Sequence, residues 1–132
     1  MSAIPRVIQS STFPKPLGPY SHAIVHGGLL RTSGQIAIDS AGTNLCDADI
    51  GVQVGCIFDN LQKILKEAGA TVEHILDVVV FLTDIHDFPA FNEHYGKCLG
   101  SHRPTRSVVE VSALPKGAKV ELKVLAYIEK SA

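Results

Sequence analysis

The run Val78-Val79-Val80-Phe81-Leu82 is apolar at every position, and this limits what the chain can fold into. A strand with one wet face alternates polar and apolar residues, whereas a strand covered on both faces is apolar almost throughout. β-Branched and aromatic side chains also suit a pleated, buried surface. The sequence therefore predicts a strand from Ile75 to Leu82 that is covered on both faces of a sheet.

Two stretches have the spacing of amphipathic helices. The first begins near Asp49, a good N-cap residue, and ends at Ala68 before a capping Gly69. Its apolar residues recur every three or four positions, as on one buried stripe of a helix. They are Val54, Ile57, Phe58, Leu61, Ile64, Leu65 and Ala68. The second predicted helix runs from about Phe88 to Leu99.

Alternating residues and flanking turn residues predict the remaining strands. They are Arg6 to Gln9, Ala23 to His26, Leu29 to Gly34 with a continuation over Gln35 to Asp39, the segment from the Arg103-Pro104 turn to Val111, and Lys119 to Ile128. The resulting order, β-β-β-α-β-α-β-β, predicts a single α+β domain over residues 1–132, with a mixed sheet and both helices on one face.

Two helices cannot cover both faces of that sheet. On the last predicted strand, Leu125 and Tyr127 share the face opposite to that of Leu122 and Val124. Soluble monomers rarely leave such partly apolar faces open, so the sequence predicts a homo-oligomer.

Composition excludes several classes of protein. The net charge of −1 and the absence of basic runs argue against a nucleic-acid-binding surface. No apolar run approaches the ~18 residues of a membrane span. The three cysteines, Cys46, Cys56 and Cys98, are an odd number at wide spacings. Free thiols in a reducing cytoplasm are the expected state.

Neither metal-binding nor nucleophilic motifs occur in the sequence. The six histidines form no His-x-His or Cys/His ligand set, so no metal site is expected. Ser33 before Gly34 would be a nucleophile only beside a base, and a serine that ends a strand more often satisfies backbone groups. The cysteines carry no sequence sign of activation.

Five polar residues at strand and loop ends remain as candidates for a site. They are Tyr20, Ser33, Asn92, Arg106 and Glu121. One interpretation is that they are caps and surface pairs, with Arg106 bound to Glu110 four positions further on. The other is a small anion-binding pocket, with Arg106 on a carboxylate and Glu121 handling a water or a proton.

Several segments recur together, in this order, in one known family. They are Gly18-Pro19-Tyr20-Ser21, Thr32-Ser33-Gly34-Gln35-Ile36, Val80-Phe81-Leu82-Thr83-Asp84, Asp87-Phe88 with Phe91-Asn92, Arg103-Pro104-Thr105-Arg106-Ser107-Val108-Val109-Glu110-Val111, Leu114-Pro115-Lys116-Gly117 and Val120-Glu121-Leu122. On these motifs, the chain resembles the reactive intermediate deaminases of the RidA or YjgF type over about residues 6 to 128.

The resemblance implies a chorismate-mutase-like fold assembled as a homotrimer, with ligand sites in clefts between subunits. It implies hydrolysis of reactive enamines and imines, such as 2-aminoacrylate, to 2-oxo acids and ammonia, without a metal or an organic cofactor. By matching positions, Arg106 binds the substrate carboxylate and Glu121 positions the attacking water.

The other pocket residues also follow from matching positions. Tyr20, Ser33, Gly34 and Asn92 line the pocket, Phe88 and Pro115 form its apolar wall, and the backbone of Val108 helps to hold the substrate. Many relatives carry a cysteine in place of Val108, and this departure allows the substrate preference of this chain to differ from theirs.

Three alternative functions stay open on the sequence. The first is a dedicated catabolic deaminase of a larger enamine acid, such as an aminomuconate-like compound. The second is a regulatory trimer that binds small carboxylates without turnover. The third, RNA cleavage, is attributed to some relatives, but the nearly neutral charge argues against it.

Overall fold

The structure, a computed structural model, describes residues 4–129 of the 132-residue chain, and the ends of the predicted 1–132 domain lie outside this range. Within it, six strands and two α-helices follow one another in the predicted order. They are β1 (Arg6–Ile8), β2 (Ala23–His26), β3 (Leu29–Thr32), α1 (Ile50–Glu67), β4 (Ile75–Leu82), α2 (Phe88–Leu99), β5 (Thr105–Glu110) and β6 (Val120–Tyr127). No helix within residues 4–129 combines the length and the hydropathy that crossing a bilayer requires.

The strands form one sheet in the order β1-β2-β3-β6-β4-β5. β4 and β5 are parallel and the other neighbouring pairs are antiparallel, which confirms the predicted mixed sheet. β4 lies inside the sheet, but only one of the two faces predicted to be covered is fully buried within one chain. Its Val78, Val80 and Leu82 are fully buried, whereas Val79 and Phe81 on the opposite side are only half-buried within one chain.

Both helices pack on one face of the sheet, as predicted. Phe58 of α1 and Phe91 of α2 lie in the same buried cluster as Val80 and Leu122. α1 begins at the predicted N-cap, where the carboxylate of Asp49 accepts a hydrogen bond from the backbone N–H of Val52 at 3.0 Å. Neither α-helix packs on the second face of the sheet, which carries the half-buried Val79 and Phe81.

The predicted continuation of the third strand over Gln35 to Asp39 is wrong. β3 ends at Thr32, and Gln35 then makes an isolated antiparallel bridge with Leu122. From the pair Arg31–Leu125 to the pair Gln35–Leu122, the chain that continues from β3 advances by four residues, whereas β6 advances by three. One extra residue therefore forms a bulge after β3. The bulge forms because the backbone N–H of Val124 donates to the Thr32 hydroxyl at 3.0 Å instead of to a strand carbonyl.

The side chain of Gln53 in α1 forms hydrogen bonds to two other segments of the chain, one before α1 and one before β6. Its side chain is completely buried. The amide nitrogen donates to the carbonyls of Cys46 at 2.9 Å and Ala48 at 2.8 Å, and the amide oxygen accepts from the backbone N–H of Lys119 at 3.0 Å. This one side chain therefore gives hydrogen-bond partners to three backbone groups that are buried or partly buried.

We expect Gln53→Leu to lower the free energy of unfolding by about 2–4 kcal/mol, because buried backbone groups lose their partners at a cost of ~1–3 kcal/mol each. Urea denaturation measures the change. Gln62→Leu, at an exposed position of the same helix, is the matched control and should stay within about 0.5 kcal/mol of wild type. Equal effects of the two substitutions would contradict the role assigned to Gln53.

Candidate functional site

Arg106 lies on the helix side of the sheet, beneath α2. It is paired with Val78 of β4, whose side chain is in the core. Its Nη1 donates a hydrogen bond to the side-chain oxygen of Asn92 at 2.8 Å. The carbon of the guanidinium lies 5.4 Å from the ring centre of Phe88 and 5.0 Å from that of Tyr95. These contacts hold the half-buried guanidinium in place.

The alternative of a surface arginine paired with Glu110 is wrong. The Glu110 carboxylate instead accepts a hydrogen bond from the backbone N–H of Ile85 at 2.8 Å. No ion pair among the described residues includes Arg106. Its charge is therefore left without a carboxylate partner inside the described chain.

An open pocket of about 460 Å³ lies beside the Arg106 guanidinium. We call it the arginine pocket. It is lined by Asn92, Tyr95, Gly96, Arg103, Pro104 and Arg106. None of the lining residues is acidic, so the pocket suits an anion.

Val108 lies on the same side of β5 as Arg106, two residues further on, and packs partly against the core. β5 is the edge strand of the sheet. The N–H of Val111 donates to Leu82 at the end of the pairing with β4. Because successive residues of a strand direct their backbone groups to opposite sides, we infer that the N–H of Val108 points to the open edge, where a ligand can reach it.

Glu121 lies on the face of the sheet away from the helices. Burial raises its pKa above the ordinary value of 4.5, and the nearby Lys123 partly opposes that shift. Glu121 belongs to a second pocket of about 380 Å³, which we call the glutamate pocket. It is lined by Leu17, Tyr20, Ser33, Gly34, Ile36, Pro115 and Glu121.

The bulge after β3 brings the backbone against Glu121. A Cβ atom at Gly34 would lie 2.6 Å from the Cδ of Glu121, so only glycine leaves the carboxylate in place. The hydroxyl of Ser33 donates to the carbonyl of Ser21 at 2.7 Å. It therefore serves the backbone, as a serine at a strand end most often does.

Two residues that the sequence did not indicate as site residues support the backbone of Ser33 and Gly34 at the glutamate pocket. His22 is buried, and its Nε2–H donates to the carbonyl of Pro14 at 2.7 Å. Its Nδ1 accepts from the side-chain amide of Gln35 at 3.2 Å, and that amide also donates to the carbonyl of Ser33 at 3.2 Å. The available signal was that Gln35 lies within the Thr32 motif and that His22 directly follows the Gly18 motif.

Arg106 and Glu121 lie on opposite faces of the sheet. Arg106 is opposite Val78, and Val78 is opposite Val124, so these three side chains share a face. Glu121 is an odd number of residues from Val124 along β6 and therefore points to the other face. The two residues predicted to act on one substrate cannot meet within one chain.

The predicted site residues accordingly fall into two groups. One surrounds the arginine pocket and the adjacent edge of β5: Phe88, Asn92, Arg106 and Val108. The other lines the glutamate pocket: Tyr20, Ser33, Gly34, Pro115 and Glu121.

The thiols are protonated groups at neutral pH. Burial raises the pKa of Cys56 to about 11, and it also raises the pKa values of Cys46 and Cys98. All three are free cysteines. Within residues 4–129, no three His, Cys, Asp or Glu side chains come close enough to share a metal ion.

The chain is similar in sequence to known proteins along nearly its whole length. Residues 10–128 match the family model described as Endoribonuclease L-PSP. A RutC family protein of Pyrococcus abyssi is 41% identical over 93% of this chain and 97% of its own length. A human protein named 2-iminobutanoate/2-iminopropanoate deaminase is 34% identical over 95% of this chain and 91% of its own length.

Solved structures agree with the fold. A member of the conserved Rid protein family from Yersinia pestis has a TM-score of 0.90 and 38% identity, covering 95% of this chain and 100% of its own. E. coli TdcF with bound serine has a TM-score of 0.87 and 34% identity, covering 94% of this chain and 99% of its own. With this α+β fold and matches along nearly its whole length, the chain belongs to the Endoribonuclease L-PSP family, the RidA/YjgF family that its motifs resemble.

Proposed function

We propose that the protein hydrolyses reactive enamines and imines of the 2-aminoacrylate type to 2-oxo acids and ammonia, at sites built from two copies of the chain. The observation that carries the proposal is the half-buried Arg106, held on one face of the sheet while the acid Glu121 lies on the other. A substrate that uses both groups must bind between an arginine pocket and a neighbour's glutamate pocket.

The open face of the sheet supports assembly into a homotrimer. Val109 and Tyr127 are 45% and 39% exposed there, and Val79, Phe81 and Leu125 are half-buried. Burying such a face against a second copy removes apolar area from water, at ~25 cal/mol per Å². The trimer is the assembly that the family resemblance implies.

Arg106 would bind the substrate through its carboxylate. A guanidinium presents paired N–H donors that match the two oxygens of a carboxylate, and each charge-assisted hydrogen bond contributes ~1.5–3 kcal/mol. The backbone N–H of Val108 would add a donor at the open edge of β5. E. coli TdcF, seen with bound serine, shows that a relative holds a small amino acid.

The chemistry needs few protein groups. A 2-amino-2-enoate tautomerises to a 2-imino acid, and water attacks its C2 atom. The new C–O bond forms as the C=N electron pair moves to nitrogen, which takes a proton. The resulting carbinolamine then expels ammonia as the C=O bond forms, so one water is consumed for each ammonia released.

Glu121 would take a proton from the attacking water and return one to the leaving nitrogen. Its raised pKa brings it closer to neutral pH, where a group exchanges protons most effectively. Such general acid–base help contributes ~10²–10⁴-fold in rate. The Gly34 backbone, lying against this carboxylate, would fix its position.

The serine bound to E. coli TdcF favours one other function, binding of small carboxylates without turnover. Ammonia release separates the two. A protein that binds serine or 2-oxo acids but does not accelerate ammonia release from dehydratase-generated 2-aminoacrylate is a binding protein and not a deaminase.

We expect Arg106→Lys to lower kcat/KM for dehydratase-generated 2-aminoacrylate by about 10- to 100-fold, because lysine keeps the charge but loses the paired donors. A coupled assay of ammonia release measures the change, and the melting temperature checks that the variant is folded. Arg6→Lys, at an exposed position of β1, is the control. Wild-type activity in Arg106→Lys would refute the proposed role.

We expect the stability of Glu121→Gln relative to wild type to increase with pH. Below pH 4.5, Glu121 is protonated in both the folded and the unfolded protein, so burying this neutral carboxyl does not cost the folded state a desolvated charge. As pH rises through its raised folded pKa, wild type must hold a poorly solvated charge and loses stability, whereas glutamine cannot ionise.

Urea denaturation from below pH 4.5 to neutral pH measures this difference. Glu67→Gln, at an exposed position of α1, controls for removal of a negative charge. A difference between Glu121→Gln and wild type that is constant, or that shrinks as pH rises, would contradict the burial of this carboxyl.

A further inference from the structure

The arginine pocket contains a second guanidinium, that of Arg103. Its Nη1 donates to the carbonyl of Gly100 at 2.7 Å and to that of His102 at 2.8 Å. These bonds anchor the side chain at the end of α2. Because a guanidinium carries further N–H donors on its other nitrogens, Arg103 is fixed in position and still able to bind a ligand.

Neither guanidinium of the pocket is neutralised. The residues that line the pocket with Arg103 and Arg106 include no Asp or Glu. The ion pairs among the described residues also leave out both arginines. Two uncompensated positive charges in one concave pocket raise its affinity for anions, and more so for dianions than for monoanions.

Tyr95 adds an unused donor at the same pocket. Its side chain is 6% exposed, and its hydroxyl has no hydrogen-bond partner among the described residues. Burial raises its pKa against the opposing effect of the nearby Arg106 and Arg103, so the phenol stays protonated. A buried O–H beside two cations lacks an acceptor, which a ligand oxygen would supply.

We propose that, among enamine and imine acids, the arginine pocket prefers those with a second acidic group, Arg106 binding the carboxylate next to the reacting carbon and Arg103 binding the distal one. The proposal rests on the proposed function for the role of Arg106. The two residues are three positions apart, so their Cα atoms are at most ~11 Å apart. Their guanidiniums can therefore approach the two ends of a short diacid.

The test uses two stable 2-oxo acids of the product type, 2-oxopentanedioate with two carboxylates and 2-oxobutanoate with one. Isothermal titration gives the Kd of each for wild type, Arg103→Gln and the control Lys97→Gln. Lys97 is an exposed residue of α2 outside the pocket, so its substitution removes the same charge nearby.

Wild type should bind the diacid about tenfold more tightly than the monoacid, as one added charge-assisted contact predicts. In Arg103→Gln this ratio should fall to about two or less, and in Lys97→Gln it should stay near the wild-type value. Added salt should reduce the wild-type ratio, because the distal contact is exposed.

Equal affinity of wild type for the two acids would overturn the proposal, and so would a ratio that Arg103→Gln leaves unchanged. A parallel loss of affinity for both acids, with a lower melting temperature, would assign Arg103 only to capping α2 and would also overturn it. Selective binding of the diacid without turnover of any imine would support the two-cation pocket and refute the deaminase function instead.

Discussion

The alternation of side chains along β-strands is the constraint on which a ligand site in this protein depends. β5 and β6 are both held in register by β4, which lies between them. Arg106 and Glu121 therefore stay on opposite faces whatever rotamers they adopt, since only a slip of a whole residue would move either to the other face. One chain therefore carries Arg106 and Glu121 on opposite faces, and under the proposed function a substrate that uses both binds between two copies of the chain.

Each half is organised before a ligand arrives. The hydrogen bond from Arg106 to Asn92 and the rings of Phe88 and Tyr95 restrict a side chain whose ordering costs ~2 kcal/mol of entropy. That cost is met on folding and not on binding. In the other half, the glycine at position 34 and the buried link from His22 to Gln35 shape the backbone around Glu121. Residues outside the proposed reaction thus position both proposed site residues.

Local signals were enough to predict much of the fold. α2 and β4 have their predicted bounds because helical spacing and an apolar run are local signals, and Gly100 follows α2 with a φ of 63°, a conformation that suits glycine. The bulge after Thr32 was not predictable, since it depends on a hydrogen bond to Val124, 92 residues away.

The sequence motifs contain most of the pocket residues, but their division into two pockets could be recognised only from the register of the strands in the structure. The sequence predicts only a turn at Arg103 and gives no sign that Tyr95 borders a pocket.

The most direct measurement is complementation between Arg106→Gln and Glu121→Gln subunits. The two variants are unfolded together, reassembled in equal amounts and assayed for ammonia release. If each site takes its arginine from one chain and its glutamate from the next, random mixing restores both groups in about a quarter of the sites. The mixture should then be far more active than either variant alone. Activity equal to the mean of the separate variants would contradict a site shared between chains.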